Sequence, residues 1–175
     1  MGEKRDNLWA PWRMEYIRSL TGDGSGSDCF LCDYAAHPEK DRDNHVLYRG
    51  DRSLVVMNRF PYSNGHLLVA PLEHRADLHD LDEGTLLEQT TLTRDWVRIV
   101  TGTVHCHGFN VGMNFGRCAG AGLPGHLHLH LVPRWNGDTN FMATTGNTRV
   151  IPQDLNELYD LLLARAADPG PTETT

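Results

Sequence analysis

Between Gly125 and Pro133 the chain reads Gly-His-Leu-His-Leu-His-Leu-Val-Pro, and this alternation constrains the fold more than any other feature. A period of two belongs to a β-strand, whose successive side chains point to opposite faces. His126, His128 and His130 therefore share one face, and Leu127, Leu129 and Leu131 share the other. The leucines belong to a core, so the histidine face looks into a site or into water. Histidine is not among the residues enriched in strands, which makes three in register a feature that needs a reason. A three-histidine metal site fits poorly. Same-face neighbours start about 6.5–7 Å apart on a flat strand and do not converge on a tetrahedron. Nucleophilic and acid–base chemistry fits better, because imidazole is neutral and nucleophilic near pH 7 and its pKa of about 6.5 suits proton transfer there.

The strand needs partners, and the sequence supplies them. Residues 45–50 and 53–58 are two short β-rich runs about Gly50-Asp51-Arg52, which reads as a hairpin. Residues 66–71 form a third apolar run ended by Pro71, and 109–116 a fourth. A helix is expected from Asp82, its N-cap, to about Cys106, with Leu86, Leu87, Thr90, Leu92, Trp96, Ile99, Val100 and Val104 at roughly helical spacing. Gly108 follows where a left-handed cap is favoured. Residues 117–125 are a glycine-rich loop leading into the histidine strand, and 151–167 read as a closing helix. This order predicts an α+β domain with an antiparallel sheet.

Residues 1–28 read as an N-terminal segment with an aromatic cluster, Trp9, Trp12 and Tyr16, and a short helix from a first turn at Pro11 to about Leu20, then a flexible linker over 21–27. The polar stretch 33–45 reads as loop, 29–167 as the domain, and 168–175 as a disordered tail. The first 17 residues show no unbroken apolar stretch after their charges, and no run approaches the ~20 residues of a membrane span. A cytoplasmic protein without membrane partners is expected. Lys and Arg number 16 against 23 Asp and Glu, a net charge of −7. That charge argues against a nucleic acid polymer as partner, since no positive field is there to release counterions.

Cys29-Phe30-Leu31-Cys32 is a CxxC pair directly after the linker. It reads as half of a zinc site, as a redox pair or as two idle thiols. A thioredoxin-like motif needs a strand before it and a helix after it, and the flanking residues suggest neither. Cys106 and Cys118 read as a core thiol and a loop thiol.

The pattern His126-Leu-His128-Leu-His130-Leu-Val132 resembles the signature of the histidine triad superfamily, nucleotide hydrolases and transferases that act on α-phosphates. The likeness runs through Leu8–Ile17, Val56–Pro71, Gly108–Gly116 and Val132–Met142, and it is greatest to the bacterial branch near diadenosine tetraphosphate hydrolases and phosphorylases. It implies a histidine triad fold: an antiparallel five-stranded sheet with a long helix and a C-terminal helix. It places the nucleophile at His128 and a phosphate contact that helps protonate the leaving group at His130. Asn114 matches an asparagine near the phosphates and Asn58 a residue that binds ribose hydroxyls. His66 matches a position near the site. Gly120, Gly122 and Leu123 fall in the loop whose backbone N–H groups can approach an oxyanion. The stretch Gly122-Leu123-Pro124-Gly125 lacks the polar side chain that many relatives carry before the first histidine. For the CxxC pair the likeness implies a structural zinc ion on Cys29, Cys32, His74 and His126.

The expected activity is cleavage of a dinucleoside polyphosphate through a nucleotidyl-phosphohistidine, released by water or by phosphate. AMP-phosphoramidate hydrolysis is the next reading, and a non-catalytic nucleotide-binding module the reading outside enzymes. A homodimer is implied.

Overall fold

A computed structural model describes residues 29–138, 142, 145 and 150–168. The expected N-terminal helix and linker lie outside these residues, as does the tail beyond Asp168. Five strands form one sheet: β1 (Val46–Arg49), β2 (Ser53–Met57), β3 (Leu67–Pro71), β4 (Gly108–Met113) and β5 (Leu129–Arg134). Their order is β1-β2-β3-β5-β4, and every neighbouring pair is antiparallel. This is the α+β architecture, with its five-stranded antiparallel sheet, that the sequence implied.

Both faces of the sheet are covered, which explains why β2 and β3 read as continuous apolar runs and not as alternating ones. Val55, Met57, Leu67, Val69 and Leu131 face one core cluster with Leu92, Trp96 and Val100 of α3 (Glu83–Val104) and Leu158 and Leu162 of α4 (Leu155–Ala167). Leu54, Val56, Leu68 and Ala70 face a second cluster with Leu31 and Tyr34 of α1 (Phe30–Ala36), and with Leu123. Leu162 is fully buried in the first cluster. Leu162→Ala is expected to cost about 3 kcal/mol, read as a lower urea midpoint at unchanged slope.

The long helix starts where expected, with the Asp82 side chain accepting from Thr85 N at 2.8 Å. Its end differs. His105, at φ 49°, takes the left-handed cap position, and the expected cap residue Gly108 is the first residue of β4. His105 N still closes the last turn on Thr101 O at 2.9 Å, so the hydrogen bond outweighs the steric cost of a side chain there.

The stretch expected as loop, 33–45, is largely helical: α1 runs to Ala36, a 3₁₀ turn spans Pro38–Lys40, and α2 covers Asp41–Asn44. These pieces are too short to be stable alone, and tertiary contacts hold them. Leu31 and Tyr34 bury against the sheet. From β1, the Arg49 guanidinium donates to the carbonyls of Tyr34 and Ala35 at the end of α1, and to the Asp41 carboxylate. Among the described residues, no helix is long and apolar enough to cross a membrane.

Candidate active site

Register decides which face carries the histidines. His130 pairs with Leu68 of β3 and Gly112 of β4, so it lies on the α1 side of the sheet, away from the long helix. The strand expected from His126 begins only at Leu129. Just before it, Leu127 N donates to Arg75 O at 2.6 Å, so a loop and not a strand holds this stretch. The period of two persists, with Leu127 and Leu131 buried.

His128 is nearly buried, and its Nδ1 donates to the carbonyl of His126 at 2.8 Å. A carbonyl only accepts, so the proton sits on Nδ1 and Nε2 keeps its lone pair. Burial pulls the His128 pKa below its ordinary value, partly offset by that hydrogen bond, and the ring stays neutral near pH 7. The product is a neutral ring whose Nε2 carries an oriented lone pair.

This ring opens on a cleft of about 360 Å³. Asn58, Asn114, Gly120, Gly122, His128 and His130 line it together, six of the residues singled out from sequence. Leu123 is not among the lining residues; it is buried in the second cluster, and its carbonyl accepts from His126 N at 3.4 Å. Gly120, at φ 85°, donates to Arg117 O, and Ala121 donates to Gly116 O, so these two amides hold the loop's own turn. The His128 and His130 rings lie 4.9 Å apart, and Asn114 Nδ2 is 3.5 Å from His130 Nε2. Asn58 caps its own turn by accepting from Phe60 N at 2.9 Å.

Sequence reasoning missed the opposite wall. Phe30, Arg59, Phe60, Pro61, Tyr62, Leu68 and Ile151 complete the lining, and Phe60 stays largely exposed. The run Asn58-Arg59-Phe60-Pro61-Tyr62, aromatic and basic between two strands, was the available signal. Such rings offer flat apolar surface to a planar ligand. His66, at the start of β3, is 1% exposed and reaches His130 with Nε2 to Nδ1 at 3.0 Å. Trp135 packs on the first core cluster and donates to Val104 O at 3.3 Å, which makes it a core residue. A larger cavity of about 560 Å³ lies beside Arg52 and Arg75, but these pair with Asp82 and Glu73 and it holds no triad histidine.

Cys29, Cys32, His74 and His126 converge, their ligand atoms all within 4.8 Å of one another. Cys29 Sγ and His126 Nδ1 are 3.2 Å apart, Cys32 Sγ and His74 Nδ1 3.2 Å, and Cys32 Sγ and His126 Nδ1 3.5 Å. A tetrahedral zinc ion with two thiolates and two imidazoles needs sulfur–nitrogen separations of roughly 3.5 Å, so the donor set fits. His126 Nε2 donates to Pro71 O at 2.9 Å, which leaves Nδ1 bare toward the sulfurs. Burial drives the His126 pKa down to about 4, so the ring is neutral as a ligand must be. A helix does follow the CxxC pair, contrary to expectation, because α1 starts at Phe30. Burial, with Cys29 alongside, nevertheless pushes the Cys32 thiol up to about 11, opposite to the lowered value of a redox nucleophile.

Comparison with known proteins bears on this geometry. The profile of the HIT domain family matches residues 39–137. The chain is 36% identical over 163 residues to an AP-4-A phosphorylase of Mycobacterium tuberculosis, covering 91% of this chain and 84% of that one. It is 29% identical over 106 residues to an adenosine 5'-monophosphoramidase of Schizosaccharomyces pombe, covering 61% and 76% of the two chains. A crystal structure of a Zn-bound histidine triad family protein from Mycobacterium smegmatis superposes with a TM-score of 0.67 at 28% identity, covering 83% of this chain and 97% of that one.

Proposed function

The chain belongs to the HIT domain family, and from that membership we propose that it cleaves a dinucleoside polyphosphate at the α-phosphate through a covalent intermediate on His128. The observation that carries this reading is the bare Nε2 of His128 opening on the cleft, held there by the Nδ1–H bond to the His126 carbonyl. In the first step Nε2 forms a bond to the α-phosphorus, and the bond from phosphorus to the bridging oxygen breaks. The complementary nucleotide leaves with that oxygen. Asn114 and His130 donate to the phosphate oxygens, and Asn58 faces the ribose. In the second step an acceptor oxygen attacks phosphorus and returns the electron pair to Nε2.

The likeness to an AP-4-A phosphorylase favours inorganic phosphate as that acceptor. Incubation with diadenosine tetraphosphate, with and without phosphate, tests it by the products. ADP plus ATP formed only with phosphate is expected. AMP plus ATP in both cases would make the acceptor water. No cleavage, together with release of amine from an AMP-phosphoramidate, would transfer the reading to the substrate class of the fission yeast relative.

Zinc would be held by Cys29, Cys32, His74 and His126 as a structural cross-link. Cys29 and Cys32 belong to the N-terminal edge of α1, and His126 sits two residues before His128, so these residues tie one wall of the cleft to the nucleophile. The reading includes a homodimer. The outer edge of β4 is unpaired among the described residues, and Asn110, Val111 and Gly112 on it are exposed. Sedimentation at micromolar concentration is expected to give twice the chain mass.

A further inference from the structure

We propose that His66 is a positioning residue that holds His130 as a single tautomer, with its proton on Nε2 and aimed into the cleft. The proposal rests on the reading of the cleft as a nucleotide site, and the chain of hydrogen bonds behind it starts outside the triad. The main-chain N–H of Tyr62 points at His66 Nδ1 at 3.1 Å, and the Asn58 side-chain nitrogen lies 3.3 Å from the same atom. A main-chain amide can only donate, so His66 Nδ1 is an acceptor and carries no proton. The proton of His66 is therefore on Nε2, 3.0 Å from His130 Nδ1. Two N–H groups cannot share that line, so His130 Nδ1 is bare in turn and His130 carries its proton on Nε2.

The reverse order fails. A proton on His130 Nδ1 would need a bare His66 Nε2, and hence a proton on His66 Nδ1, against two donors. An imidazolium at either ring meets the same conflict. Tyr62 supports the arrangement from one side, its ring stacked on His66 at 4.7 Å and on His130 at 5.9 Å between centroids. His66 is buried, and its bonds to Tyr62 N and the Asn58 amide hold its ring against a flip.

The two triad rings in the cleft are thus opposite tautomers. His128 has its proton on Nδ1 and presents a lone pair; His130 has its proton on Nε2 and presents a donor. His130 then acts as a fixed hydrogen-bond donor to phosphate oxygens, in the manner of an oxyanion hole, and keeps its proton. That suits a phosphate leaving group, which departs as an anion near neutral pH. Asparagine O and N are assigned by their partners, and a protonated His130 Nε2 assigns the Asn114 oxygen to this side of the amide.

Long-range proton–nitrogen NMR on nitrogen-15-labelled, nucleotide-free protein reads the tautomer directly and needs no substrate. The expected wild-type spectrum shows His66 and His130 each with a protonated Nε2 and an acceptor Nδ1. In His66→Leu, His130 should average between tautomers and kcat should fall at least tenfold with KM changed less than threefold. His66→Gln, whose amide can donate along the same line, should restore the single tautomer and most of kcat. A wild-type His130 protonated on Nδ1, or averaged, overturns the proposal, as does a single Nε2–H tautomer surviving in His66→Leu. Since the wild-type spectrum alone can refute it, a variant that fails to fold does not shield it. A locked tautomer in a protein that cleaves no nucleotide would overturn the functional reading and leave the positioning role standing.

Discussion

His128→Asn is expected to lower kcat by about 10⁴-fold or more, the scale on which loss of a nucleophile acts, while nucleotide affinity stays within about tenfold, or ~1.4 kcal/mol. The asymmetry follows from the two ring nitrogens. Nδ1 is a packing and hydrogen-bonding atom, spent on the His126 carbonyl at 2.8 Å, and an asparagine amide nitrogen occupies nearly the same place. In the proposed mechanism Nε2 is the reacting atom, and asparagine has nothing there. Asn58, Asn114 and the aromatic wall remain, so binding survives. Steady-state cleavage of diadenosine tetraphosphate gives kcat, and calorimetric titration with AMP gives affinity. Full activity in the variant would remove His128 from the chemistry; affinity lost in proportion to rate would make it a binding residue.

The second large effect is expected at the metal quartet. Purified protein should carry about one zinc ion per chain, and Cys29→Ser should carry almost none. A site filled to about a thousand times its dissociation constant contributes ~4 kcal/mol to stability. Its loss should lower Tm by about 8–16 °C in a chain of this size. Metal analysis and calorimetry on both proteins check this. Less than half an equivalent in the wild type would refute the site, and an unchanged Tm on losing the metal would mean that the ion braces nothing. The two core clusters are large enough that the metal-free chain should remain folded.

What was legible in the sequence followed short-range physics. β1 and β2 showed themselves by composition about a tight turn, and α3 by Asp82 and the spacing that buries Leu92, Trp96 and Val100. The helical pattern misled in the helix's first half: Leu87 and Thr90 kept the spacing and are exposed, whereas Thr85 and Gln89 are buried. What was not legible depends on distant residues. The helices within 30–44 hold because Arg49, on a later strand, reaches back to their carbonyls. His105 caps α3 through a bond to Thr101, a choice composition does not announce. In the site, the triad was visible because a strand's period is written locally. The partnership of His66 and His130 joins positions 64 apart, and no spacing rule connects them. The convergence of Cys29, Cys32, His74 and His126 was readable only through the family likeness, since the four span 97 residues.

Leu68 and Val69 are neighbours on β3, yet one lines the cleft and the other supports the long helices. Along β2, Val56 and Val55 likewise belong to different clusters, both away from the cleft lining. Selection for catalysis and selection for thermal endurance therefore act on alternate letters of the same short words. A lineage adapting to heat can rewrite the odd positions of β3 while Leu68, which lines the cleft, stays held by the ligand. Two homologues could then diverge at half of each strand and still share an active-site floor.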